Sequence, residues 1–159
     1  MATKLTDFSK LCVHTLTTKP WDLKSCIHNY HAAGIHGITI WRNVLEGQDL
    51  KEARTMLNDH DMEVVSVARG GFFPSVDLQK RMEAIEDNLR AIDQTAAVGA
   101  PQLVLVCGAD GRQSLEASRE QIKEGILKVL PRAREGGVKL AIEPLHPMYA
   151  GDRSAINTL

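Results

Sequence analysis

Aromatic residues make up only 4% of this 159-residue chain. No apolar run approaches the roughly 20 residues that a membrane helix needs. The opening, MATKLTDFSKLC, lacks the apolar stretch of a secretory signal. One-sided charge is also missing. A net charge of −1 offers no global field for nucleic acid or for a membrane surface. Cysteine is scarce, and Cys12, Cys26 and Cys107 are far apart in apolar contexts. Their odd number and spacing exclude a zinc knuckle and argue against a disulfide framework; they read as reduced core thiols of a cytoplasmic protein. What is present is ordinary: 43% hydrophobic and 25% charged residues, with no low-complexity stretch, suit one globular domain over residues 1–159.

The apolar residues fall into a rhythm. Runs at 10–16, 37–41, 63–69, 103–107 and 139–143 read as strands, short and almost continuously apolar. Between them lie helical patterns. Leu23, Cys26, Ile27 and Tyr30 follow Asp22, and Gly34 stops that helix. Leu50, Ala53 and Leu57 share a face between Asp49 and His60. Leu78, Met82, Ile85, Leu89, Ile92 and Ala96 form one stripe that is expected to be buried, with Asp77 as N-cap and Gly99 and Pro101 as the stop. Ile122, Ile126, Val129 and Ala133 carry a fourth helix behind the N-cap Ser114, and Gly136-Gly137 ends it. Residues 154–159 look like the first turn of a fifth. AAGIHGITI, AVGAPQLVLV and EGGVKLAI each run helix end, glycine, apolar strand, which is a structural repeat.

Strand alternating with helix implies a parallel sheet with helical crossovers. Two architectures fit: an open doubly wound sheet, and a (β/α)8 barrel of which this chain would be roughly the first half. The doubly wound fold predicts a glycine-rich phosphate loop after an early strand. The turn HTLTTKPW at 14–21 has no glycine, and RGGFFP at 69–74 lacks both GxGxxG spacing and an immediate helix.

In either fold, chemistry gathers where parallel strands end. That edge reads His14, then Trp41-Arg42-Asn43, Arg69 before Gly70-Gly71, Cys107-Gly108 with Asp110, and Glu143 with His146 beyond. The opposite edge is mostly turn residues. Glu143 carries the most weight. A carboxylate at the end of a buried strand must be paired, protonated or metal-bound. Pro144 holds Glu143 extended and ends the donor ladder, so its side chain projects at the rim. The bland alternative is an ion pair with Arg69 or Arg42. Trp41 can pack or form a wall against a ligand, and the glycines after Arg69 permit close backbone approach.

"WR" after strand two, "RGGFFP" after strand three and "IEPLHPMYAGDR" after strand five resemble the sugar phosphate isomerase/epimerase group of the xylose isomerase-like TIM barrels. The resemblance runs through nearly all 159 residues. It implies that Glu143 is a ligand of a divalent metal, Mn2+ or Mg2+ with Co2+ or Zn2+ as alternatives, and one of two acid/base carboxylates. The remaining ligands, an Asp, a His and a second Glu, would come from later strands that this sequence does not contain. The histidine ligands of the related endonuclease IV group have no match at Trp41-Arg42 or Arg69, which argues against DNA repair. The implied chemistry is removal of the proton between a carbonyl and a hydroxyl, giving an enediolate that is reprotonated to an epimer or an isomer. His14, Trp41, Arg69, His146 and Arg153 would then shape and hydrogen-bond the sugar. Lyases of the same superfamily use similar sites.

The expectation is therefore a cytoplasmic sugar isomerase or epimerase on a truncated TIM barrel of five strands and four to five helices. Its partner is a small sugar, with no nucleic acid and no membrane. Exposed edges of the first and fifth strands imply a homo-oligomer, and the isolated chain should have little or no turnover. The rival is a non-catalytic ligand-binding or interaction module of doubly wound or half-barrel type.

Overall fold

A computed structural model describes residues 6–158. Five strands alternate with four helices: β1 (Cys12–His14), α1 (Leu23–Ala32), β2 (Gly37–Trp41), α2 (Leu50–Asp59), β3 (Glu63–Gly71), α3 (Leu78–Ala97), β4 (Gln102–Val106), α4 (Leu115–Glu135) and β5 (Lys139–Ile142). Each helix starts where a side chain can hold the amides left free in its first turn. Asp22 accepts from Ser25 N at 2.8 Å, Asp49 from Glu52 N at 3.2 Å, Asp77 from Gln79 N at 2.8 Å and Ser114 from Ala117 N at 3.1 Å. Gly34, Gly99 and Gly137 follow the helix ends at positive φ.

The strand order is β1-β2-β3-β4-β5, every neighbouring pair parallel. That order separates the two architectures. A doubly wound sheet reverses direction at a switch point, whereas a barrel adds each strand beside the last. With right-handed crossovers, consecutive addition puts every helix on the same face. The fold is a partial barrel: five of the eight strands, with β1 and β5 at the edges of the sheet among the described residues.

The hydrophobic core lies between the sheet and the helices. Ile38, Ile40, Val67, Leu103 and Leu105 of the sheet meet Ile27, Leu57, Ile92 and Val129 of the helices, all fully buried. The alternate residues face the concave side, and three of them, Cys12, Thr39 and Ser66, are small and polar. Cys12 Sγ lies 3.4 Å from Thr39 Oγ1, which lies 2.9 Å from Ser66 Oγ. Burial pushes the Cys107 thiol up to about 11, so it stays protonated at neutral pH. No helix among the described residues is long and apolar enough to cross a membrane.

Three expectations need correction. The predicted stripe of α3 is only partly its core face: Ile92 is buried and Ile85 and Leu89 pack against the core, but its two ends do not. Asn88, Ala91, Ile92 and Thr95 are buried, whereas Leu78 is 62% exposed, Met82 49% exposed, and Ala96 exposed. Small side chains let α3 lie close to β3, so the longer ones lean towards α4, where Leu78, Met82 and Ile85 border a shallow groove beside Gln121 and Gly125. Residues 154–158 form no fifth helix. Ser154 instead bridges to Gly108 and Ala155 N donates to Gly108 O at 2.9 Å, so tertiary pairing overrides the local pattern; Leu159 lies outside the described residues. Finally, β5 is not a buried strand. Ile142 is 47% exposed and Glu143 is exposed, because β5 has a neighbour on one side only.

Candidate functional site

Register and twofold alternation build a cleft on the concave side, where the strands end. His14 pairs in register with Thr39, and Trp41 follows two residues on, above Ala68. The indole Nε1 donates to His14 Nδ1 at 3.2 Å. An indole nitrogen can only donate, so Nδ1 is the acceptor and Nε2 carries the ring proton of the neutral imidazole. Below this pair, Thr15 Oγ1 accepts from Trp41 N at 3.0 Å. Tyr30, its phenol pushed up to about 12 chiefly by burial, donates to His14 O at 3.4 Å.

Arg69 enters the cleft through an irregularity. Ala68 pairs with Val104 and Gly70 with Leu105, so the register between β3 and β4 skips Arg69. Its guanidinium carbon lies 5.7 Å from the Trp41 ring centroid and 4.5 Å from that of Phe72. The bulge is clamped from behind by Asn88, a residue that strand-end reasoning does not reach. Asn88 accepts from Gly71 N at 2.7 Å and donates to Gly71 O and Ala84 O, each at 2.8 Å. Its one signal in the sequence is the single asparagine inside a long helix, three residues before Ala91. Arg42, at the end of β2, makes a bidentate pair with Asp87 at 2.7 and 2.9 Å and donates through Nε to Gln94 at 2.8 Å. That pair holds the Asp87 carboxyl below the usual carboxylate range. Arg42 is thus tied to α3 and takes no part in the cleft.

Glu143 continues the ladder from β4, its N–H donating to Leu105 O at 3.0 Å, before Pro144 ends it. The chain then doubles back: Leu145 N donates to Ile156 O at 3.0 Å, and the bridge between Ser154 and Gly108 sets Arg153 beside the mouth. The Arg153 guanidinium lies 5.0 Å from the Tyr149 ring centroid. His14, Trp41, Arg69, Glu143 and Arg153 line one cleft of about 230 Å³, together with Ala68, Val104, Val106 and Leu145. His146 does not line it; its Nδ1 accepts from Met148 N at 3.2 Å and caps the turn Pro147–Tyr149. Asp110 is also spent elsewhere, accepting from Val76 N and Arg112, which hold its carboxyl far below its ordinary range.

Glu143 makes no ion pair among the described residues, with Arg69, Arg42 or any other cation. Nor does any group of three His, Cys, Asp or Glu side chains among them come together to hold a metal ion. A Mg2+ or Mn2+ ion needs about six oxygen ligands and a catalytic zinc about three protein ligands. The cleft offers one carboxylate, so the described residues do not by themselves fit a resident metal.

Residues 27–156 match the family described as Xylose isomerase-like TIM barrel. No curated protein matches the chain in sequence. Among solved structures, protein SMc04130 from Sinorhizobium meliloti 1021 is 39% identical, with a TM-score of 0.89 over 95% of this chain and 56% of that one. The fold also recurs in 3-keto-D-glucoside 4-epimerase, YcjR, from E. coli (16% identity, TM-score 0.73, 87% of this chain and 57% of that one). The IOLI protein, whose structure has a binding zinc atom, is similar too (19% identity, TM-score 0.76, 93% and 54%). The chain spans about half the length of these structures.

Proposed function

The chain belongs to the xylose isomerase-like TIM barrel family, and from that premise we propose that it forms, as a single domain, the β1–β5 side of a sugar isomerase or epimerase site. The supporting observation is the convergence of His14, Trp41, Arg69, Glu143 and Arg153, from five separate segments, on one cleft at the strand ends. Glu143 is the base. Unpaired and exposed at the rim, its carboxylate takes the proton from the carbon between a ketose carbonyl and the adjacent hydroxyl. The electron pair moves onto the carbonyl oxygen, giving an enediolate. His14 Nε2–H and the Arg69 N–H groups are the donors that meet the developing negative charge. Trp41 is the apolar wall. Returning the proton to the opposite face gives the epimer, and to the neighbouring carbon the isomer. In this reading Glu143 would also be a ligand of a divalent ion, which would polarise the ketose carbonyl if further ligands completed the site.

Proton exchange is a half-reaction that needs one acid/base group, whereas net epimerisation needs two. The expected result is slow, Glu143-dependent exchange with little net conversion when the chain is incubated with a ketose in D2O and followed by proton NMR. Glu143→Gln should lower that exchange by about 100-fold or more. A single carboxylate in the cleft is the observation favouring a second reading, a ligand-binding module. Ketose binding with no exchange, or exchange equal in Glu143→Gln, would establish it over the first.

Self-association through β1 and β5 belongs to the same proposal, because unpaired strand edges offer free backbone donors and acceptors to a second copy. Size-exclusion chromatography with light scattering should report a dimer or larger species; a stable monomer across concentration would refute it.

A further inference from the structure

We infer that the cleft recognises the anionic oxygens of a charged sugar derivative, a carboxylate or a phosphate, through Arg69 and Arg153. This rests on the reading of the cleft as a sugar site and deepens it. Most arginines of the chain spend their donors within the protein: Arg42 on Asp87, Arg54 on Val98 O, Arg112 on Asp110, Arg119 on Ala155 O and Arg132 on Asp93. Arg69 and Arg153 are different. Neither guanidinium donates to any acceptor among the described residues, and both border the same cleft. Each is held by aromatic rings, Arg69 by Trp41 and Phe72, Arg153 by Tyr149. A ring face steadies a guanidinium without using its N–H groups, which stay available in the guanidinium plane.

Charge points the same way. The lining contains these two cations against the single carboxylate of Glu143; its other members are His14, Trp41 and aliphatic residues. Arg69 is half-buried, so its charge lacks both full hydration and a protein counterion. A neutral sugar hydroxyl would accept one hydrogen bond and leave that charge uncompensated. A carboxylate or phosphate accepts two parallel bonds from one guanidinium fork and compensates the charge as well. Glu143 is meanwhile left unpaired for proton transfer.

The test is isothermal titration of the 159-residue chain with three ketoses: D-fructose, D-fructose 6-phosphate and 5-keto-D-gluconate. At least one charged ligand should bind about tenfold more tightly than D-fructose or better. Preference for the phosphate ester or for the keto acid identifies the source of the anionic oxygens. The advantage, read as the ratio of charged-ligand to D-fructose affinity, should collapse in Arg69→Met and weaken in Arg153→Met, which is at an exposed position and should not disturb folding. Arg69→Lys, which keeps the charge without the fork, should retain part of the advantage. Equal binding of all three ketoses, or an advantage that survives both methionine variants, overturns the inference and leaves the sugar-site reading standing. No saturable binding of any ketose overturns both.

Discussion

Gly71→Ala should cost about 4 kcal/mol or more, a large share of the roughly 5–15 kcal/mol that holds a domain folded. Gly71 sits at φ 108°, a conformation that side chains rarely adopt, and a Cβ there would fall 1.9 Å from Val106 O and 2.5 Å from Val106 C. Both atoms are backbone, so no side-chain rotation relieves the collision. Moving β4 away would break the bonds from Phe72 N to Val106 O at 2.9 Å and from Phe73 N to Cys107 O at 3.0 Å. Gly137→Ala is the control. Its φ is 66°, but nothing lies within 4 Å of the added Cβ, so it carries only the backbone penalty of about 1 kcal/mol. Urea titrations of the two variants separate clash from conformation. If they unfold at the same midpoint, the close approach of β3 to β4 is not what makes glycine necessary.

The second large effect belongs to the clamp behind Arg69. Asn88 is 1% exposed and satisfies both the N–H and the C=O of Gly71. Asn88→Leu keeps the approximate volume but leaves two buried backbone groups without partners, each costing about 1–3 kcal/mol, so about 2–6 kcal/mol in all is expected in urea unfolding. Asn88→Asp separates polarity from shape. The carboxylate still accepts from Gly71 N but faces the carbonyls of Gly71 and Ala84 as a second acceptor. Burial and those oxygens raise its folded pKa, so protonation favours the folded state. The variant's deficit should be smallest below the unfolded carboxyl pKa and should grow as pH rises towards the folded pKa. Asp87 behaves oppositely in the wild type. Arg42 depresses its folded pKa, so its contribution is present above the unfolded pKa and is lost as pH falls through the folded value. The gap between Asn88→Asp and wild type should therefore narrow on acidification. A gap that is independent of pH would mean that the clamp does not depend on the donor half of the amide.

Much of the candidate site is legible in the sequence. His14, Trp41, Arg69 and Glu143 lie at or near strand ends, and parallel strands deliver such residues to one rim; Arg153 is marked only by the resemblance of IEPLHPMYAGDR, and the bridge between Ser154 and Gly108 brings it to the cleft. The same reasoning marks His146, which lies outside the cleft, because two residues of irregular chain beyond Glu143 carry no periodicity to aim it. Glu143 and its strand differ from expectation for another reason. Apolar content implies burial on both sides only when both neighbouring strands exist, and β5 has one. The α3 stripe holds at Ile85, Leu89 and Ile92 but fails at Leu78, Met82 and Ala96 for a related reason. Helical spacing says which residues share a face, not how closely a neighbour approaches. Asn88, serving Gly71 of the sheet, turns the small face inward.

The sequence by itself determined the order of strands and helices, their caps and stops, and the rim on which the polar residues collect. These depend on periodicity and on hydrogen bonds within a few residues, so they are written locally. Only the tertiary structure decided that the strands are laid down in consecutive order as part of a barrel, since the same alternation also permits a doubly wound sheet. It also decided which arginines are spent and which stay open. Arg42 finds Asp87 across 45 residues, while among the described residues Arg69 and Arg153 meet aromatic faces and no acceptor. A charge's partner is set by packing between distant segments, and no local pattern encodes it.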